Sequence, residues 1–228
     1  MPTTHIEKIL SLGVGYGHLE LSKSLRESFV QEINKQYKKS NRDKTSVWTG
    51  DLNYFPSLHK LELFKPLFKN LKPCVLEYCK QIGTNPDFFD FHVVRSWGTK
   101  ALNDQNIPTH THSYASLAVV YYPKVSQNCG GLILGSLINQ NELIPDLINK
   151  ESYDNNILSS SNDLSAKGTE LNSEDDLYII FPAKTSHATN KNESNKPRYS
   201  IAIDILMTLK ETKNIEYCLP PIKDWKTL

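Results

Sequence analysis

The hydrophobic pattern changes period at Gly83, and that change limits the architectures open to the chain. Before it, Leu21, Leu25, Phe29, Ile33 and Tyr37 recur at four-residue steps between Leu19 and Lys38, the apolar stripe of an amphipathic helix. A second run after Pro56 places Leu58, Leu61, Phe64, Leu67 and Leu71 at helical spacing, with a break or kink expected at Pro66. Val75-Leu76 and Tyr78-Cys79 then lead to Gly83 as a helix stop. After it the chain is aromatic and β-branched in short bursts. Phe88 to Trp97, a segment around His110 and His112, Leu117 to Tyr122 ended by Pro123, Gly130 to Leu134, Leu177 to Phe181 and Tyr199 to Met207 all read as strands. Helices followed by many short strands predict an α+β chain built on a β-sandwich or jelly roll.

One domain over 1–228 is expected: a mainly helical layer over 1–85, a jelly-roll core over 86–210 and a tail over 211–228. The polar stretch at about 139–174, with SSSNDLS at its centre, reads as an irregular insertion or a lid. A formal net charge of +1, with both signs interspersed, argues against a nucleic-acid surface. The four cysteines (Cys74, Cys79, Cys129 and Cys218) have no CxxC spacing and read as reduced, mostly buried thiols. No window approaches the roughly 18 consecutive apolar residues of a membrane span, and the N-terminus lacks the pattern of a signal peptide. A cytoplasmic protein without membrane contact is expected, and the Leu/Phe-rich helices leave open whether they cover the sheet or form a homodimer face.

The chemistry is carried by histidines. His110 and His112 stand at i and i+2, so in an extended segment both side chains leave the same face. Neutral imidazole is the commonest metal ligand, and His187 on a neighbouring strand can close a three-point metal face. His5, His18, His59 and His92 have no partner spacing and read as ordinary structural or surface residues. Arg198 opens an alternating strand, so it shares a face with Ser200. Pointing inward, a guanidinium requires a counter-anion; a bidentate carboxylate, helped by a serine hydroxyl, meets that requirement.

The order IPTHTHSYASLAVVYYP, GG, DDLYIIFPAKTSHAT and RYSIAI resembles the 2-oxoglutarate- and Fe(II)-dependent oxygenases, over about Phe88 to Leu209. The nearest likeness is to oxygenases of phages and marine bacteria, with a more distant one to the prolyl hydroxylases. The resemblance implies a double-stranded β-helix (a cupin-like jelly roll) with supporting helices, and Fe(II), 2-oxoglutarate and O2 as cofactor and co-substrates. His110 matches the first metal histidine and His187 the distal one. Arg198 and Ser200 match the pair that binds the far carboxylate of 2-oxoglutarate, and Tyr122 a tyrosine that hydrogen-bonds it. The family's usual ligand set is two histidines and one carboxylate, yet the carboxylate position here holds His112. Asp104 lies too far upstream to replace it, and Tyr114 stands where a carboxylate would be needed if His112 came first. Either His112 ligates, giving a three-histidine site, or it points aside. The implied function is hydroxylation of an unidentified substrate with release of succinate and CO2. Two alternatives stand beside it: a three-histidine dioxygenase that does not use 2-oxoglutarate, and a non-catalytic jelly-roll binding protein.

Overall fold

The computed structural model describes residues 12–228 apart from 136–140, 142, 145, 160, 161, 163–165, 167, 213 and 214. In chain order the elements are β1 (Gly15–His18), α1 (Lys23–Lys39), α2 (Lys65–Gln81), β2 (Phe89–Ala101), β3 (Leu117–Lys124), β4 (Leu132–Gly135), α3 (Lys150–Asp154), β5 (Gly168–Leu171), β6 (Leu177–Pro182), β7 (Ser186–Thr189) and β8 (Arg198–Leu209). A five-stranded sheet has the order β1-β6-β3-β8-β2, and a three-stranded sheet the order β5-β4-β7. Every strand pair is antiparallel. The small sheet gains a fourth member where His110 bridges His187. Two antiparallel sheets facing each other, with helices against one of them, form the double-stranded β-helix that the resemblance implied.

The large sheet is buried on both faces because each face has its own partner. Leu117, Val119 and Tyr121 of β3 and Tyr199, Ile201, Ile203 and Ile205 of β8 join Phe29 and Ile33 of α1 and Leu67, Leu71 and Val75 of α2 in one core. The alternate residues point between the sheets. There Ala118, Tyr122, Ile179 and Phe181 pack with Leu132 and Leu134 of β4. On β8 the inward set is Arg198, Ser200, Ala202 and Asp204, the two-residue period of a strand.

Several expectations need correction. β1, in the region read as helical, is a strand that hydrogen-bonds to the edge of the large sheet beside β6; four residues with two glycines carry too little pattern to reveal such pairing. The second helical run is two 3-10 turns, Leu58–Lys60 and Glu62–Phe64, and α2 starts only at Lys65. Pro66 therefore lies in the first turn, where its missing N–H costs nothing. Pro123 does not end β3, which runs to Lys124 through a register shift after Tyr121. His110 lies in an isolated bridge and His112 in a loop, so neither belongs to a full strand. The expected insertion at 139–174 falls partly outside the described residues; α3 and β5 lie within it.

A β-bulge in β2 sets what faces the interior. Val93 pairs with Ile205, but Arg95 pairs with Asp204, so Val94 is the extra residue. The insertion reverses the parity of the strand. Phe91 and Val93 pack on the helical core, whereas Arg95, Trp97 and Thr99 line the cavity between the sheets.

Candidate metal centre

His110, His112 and His187 converge, with one ligand nitrogen from each lying within 4.8 Å of the others. The bridge between His110 and His187 fixes two of them, through His110 N–H to His187 O at 2.9 Å and His187 N–H to His110 O at 3.0 Å. The third is held by His112 N–H donating to Ala183 O at 3.0 Å. His112 therefore does not point aside.

The rings are oriented by what their Nδ1 atoms meet. His110 Nδ1 lies 2.9 Å from Pro108 O, and His187 Nδ1 lies 2.8 Å from Thr185 O. A carbonyl only accepts, so each Nδ1 carries the proton and each Nε2 keeps its lone pair. His112 Nδ1 lies 2.5 Å from Oδ1 of Asp204, whose carboxylate also accepts from Tyr114 Oη at 2.8 Å. All three imidazoles are thus held as Nε2 ligands. Burial, reinforced by the two neighbouring imidazoles, pushes His187 down to about 4 from its ordinary 6.5, against the pull of Thr185 O. His187 is accordingly neutral, as a ligand must be, at any ordinary pH.

The histidines line a cavity of about 810 Å³ that also includes Tyr122, Thr189 and Ser200. Ser200 Oγ and Thr99 Oγ1 are hydrogen-bonded, joining β8 to β2 across their register. The Tyr122 hydroxyl is buried without a hydrogen-bond partner. Burial pushes it up to about 12, with the Arg198 charge opposing, so it is a neutral donor. Arg198 is 2% exposed and sits behind Thr189. It donates from Nη2 to Thr189 Oγ1 at 2.8 Å and from Nη1 to Cys129 O at 2.8 Å and Asn190 O at 3.0 Å. Among the described residues no carboxylate forms an ion pair with it. Thr189 Oγ1 also accepts from Ile107 N–H at 2.8 Å, leaving the threonine proton free to donate. Gly130 makes room for the guanidinium: at φ +77° a Cβ there would meet Asn190 O at 2.7 Å and Arg198 Nη1 at 2.9 Å.

The other histidines behave as ordinary residues. His18 pairs with Glu174 at 3.3 Å, His59 with Ser96 at 2.8 Å and His92 with Thr208 at 2.9 Å; His5 lies outside the described residues. Asp104 pairs with Lys191 at 2.7 Å, away from the histidines. All four cysteines are free. Sequence reasoning missed Asp204, Arg95, Trp97, Thr99 and Thr189. Asp204 had a signal, a lone carboxylate in the apolar run YSIAIDILM, where an ionised side chain is buried only with partners.

Residues 95–204 match the family model described as "Putative 2OG-Fe(II) oxygenase". Over this segment the chain is similar to the 2OG-Fe(II) oxygenases. The solved structures agree on the fold. The carbocyclase SnoK from nogalamycin biosynthesis, described as non-heme and alpha-ketoglutarate-dependent, is 10% identical, with a TM-score of 0.57 over 87% of this chain and 82% of that one. HygX from Streptomyces hygroscopicus, solved with nickel, 2-oxoglutarate and hygromycin B, is 12% identical, with a TM-score of 0.55 over 92% of each chain. A Pseudomonas putida prolyl-4-hydroxylase is 10% identical, with a TM-score of 0.52 over 86% of this chain and 93% of that one. No curated protein sequence matches the chain. Among the described residues no helix is long and apolar enough to cross a membrane.

Proposed function

We propose that the chain is a 2-oxoglutarate-dependent oxygenase whose iron is held by His110, His112 and His187. The observation that carries this reading is that two sets of ligand-binding side chains meet at one cavity. One is a face of three imidazoles with free Nε2 lone pairs. The other is the Tyr122 phenol in the cavity wall, without a hydrogen-bond partner, with the buried Arg198 guanidinium behind Thr189. The donor set fits the metal, since imidazole nitrogens suit Fe(II) among a few first-row ions.

When bound, Fe(II), 2-oxoglutarate and O2 would supply the oxidising chemistry: 2-oxoglutarate would lose CO2 to become succinate, which takes one oxygen atom of O2, and the other oxygen would enter the hydroxylated product. The protein's own residues position and shield. Tyr122 donates its phenolic proton to the far carboxylate of 2-oxoglutarate, Ser200 and Thr189 offer hydroxyls beside it, and Arg198 provides the opposing charge from behind Thr189. Phe181 and Leu132 wall the cavity and limit water. Arg95, over the Trp97 ring at 4.5 Å and the Tyr114 ring at 5.2 Å, flanks the side open to a substrate.

Succinate formation from 2-oxoglutarate, with Fe(II) and O2, tests this reading alongside 2-oxoglutarate binding to the metal-loaded protein. Formation that requires His187 and Arg198 supports it. No succinate from metal-loaded protein, and no 2-oxoglutarate binding, contradicts it. A second reading has one observation in its favour, the all-imidazole donor set, which also suits a dioxygenase that needs no 2-oxoglutarate. In that case Arg198→Ala leaves co-substrate use unaffected.

A further inference from the structure

The three imidazoles are backed unequally. His110 and His187 each meet a backbone carbonyl two residues upstream, a neutral and local partner. His112 meets the carboxylate of Asp204, on the opposite sheet and 0% exposed. Burying a carboxylate is costly unless its charge is compensated. Asp204 has two hydrogen bonds, from His112 and Tyr114, and one long ion pair, with Arg95 Nε 3.8 Å from Oδ2. Arg95 is 43% exposed, so water screens its charge, and its Nε has no hydrogen-bond partner. Arg95 therefore offsets the Asp204 charge only weakly. A metal ion held by His112 Nε2 would add to that compensation through the imidazole ring.

We infer that Asp204 is a positioning residue that supplies, through His112, the negative charge the three-histidine ligand set lacks. This rests on the reading of His110, His112 and His187 as the metal ligands. Two histidines and a carboxylate leave a bound Fe(II) at a net charge of +1; three neutral imidazoles leave it at +2. With Asp204 counted one ring away, the centre returns to +1. The carboxylate also holds the Nδ1 proton in place, so that Nε2 faces the metal. The β2 bulge and the β2–β8 register bring Asp204, Arg95 and the histidine cluster to one level of the cavity.

The test uses Co(II) as a visible probe of the purified full chain, titrated in competition with a chelator. Asp204→Asn keeps the shape and removes the charge; its amide can also present N–H to His112 and force the wrong tautomer. Affinity for Co(II) is expected to fall about 10- to 100-fold, with a changed ligand-field spectrum. Tyr114→Phe, which removes only the other hydrogen bond to Asp204, is expected to change affinity less than about 3-fold. The double variant His112→Asp/Asp204→Asn moves the carboxylate onto the metal and is expected to bind Co(II) at least as tightly as wild type, a readout that survives if Asp204→Asn alone fails to fold. Unchanged Co(II) affinity and spectrum in Asp204→Asn, with only a lowered melting temperature, would make Asp204 a structural residue and overturn the inference. So would a double variant that binds far more weakly than wild type. Wild type binding no Co(II) would instead overturn the metal-site reading, and this inference with it.

Discussion

β8 contributes 12 residues to the large sheet, whereas β4, β5 and β7 of the small sheet have 4 each. The long strands are packed between helices and cavity, and they carry the groups that are costly to bury: Arg198 near one end of β8, Asp204 further along it and Tyr122 on β3. The short side carries His187 on β7 and His110 bridged to it, oriented by backbone carbonyls that any sequence would offer. Buried charge is placed where the scaffold is most over-determined, and ligands that need only direction are placed where it is least so. His112, tied to Ala183 at one atom and to Asp204 at another, is where the two halves meet.

If this division holds, metal and co-substrate binding are separable by mutation. The largest effect is expected on the short side. His187→Ala should weaken Co(II) binding by more than about 100-fold, exceeding what an outer partner of a ligand contributes; chelator competition measures it. Next comes the long side. Arg198→Ala should cost about 2–5 kcal/mol of 2-oxoglutarate affinity, the usual loss when one partner of a buried charge pair is removed. Its Co(II) affinity should remain that of wild type, and calorimetry on metal-loaded protein reads both. Loss of Co(II) binding in Arg198→Ala would break the comparison, whereas His187→Ala should lose both ligands, because 2-oxoglutarate chelates the metal.

The pH dependence of the metal-free protein sharpens the short side. His187 has a folded-state value near 4 against an ordinary 6.5. Between these values the unfolded chain binds a proton that the folded chain refuses. Stability should therefore be flat above pH 6.5 and fall by about 2–3 kcal/mol as acid is added towards pH 4. Urea midpoints across this range measure the slope, and His187→Gln should flatten it; an equal slope in the variant would assign the effect elsewhere. The smallest change is Tyr122→Phe. It should weaken 2-oxoglutarate binding by about 1 kcal/mol, one neutral hydrogen bond, while leaving the empty protein as stable or slightly more so, because it removes a buried hydroxyl without a partner. Thermal melts with and without the co-substrate separate the two effects.

The histidine spacing, His187 and the Arg198/Ser200 alternation were legible because each is a local pattern, and the family resemblance added Tyr122. The structure brings all six to one cavity or, for Arg198, to its wall. Asp204, Thr99, Trp97 and Arg95 were less visible for a physical reason. The bulge at Val94 shifts the parity of β2, so no constant two-residue period along FDFHVVRSWGTK predicts its inward face. Asp204 matters through a histidine 92 positions away, a pairing made by tertiary register rather than by spacing. The same holds for β1, whose strand character comes from its docking on β6. The late start of α2 reflects Leu58 and Phe64, which satisfy a helical apolar spacing while sitting in 3-10 turns.

The central claim is that one cavity binds Fe(II) and 2-oxoglutarate together. Anaerobic titration of the purified chain with Fe(II) and then 2-oxoglutarate tests it directly, through the visible charge-transfer band of a chelated keto acid. The band should appear only when both are present and should be lost in His187→Ala. Metal binding without the band would leave a three-histidine centre of another kind, and no metal binding at all would contradict the claim.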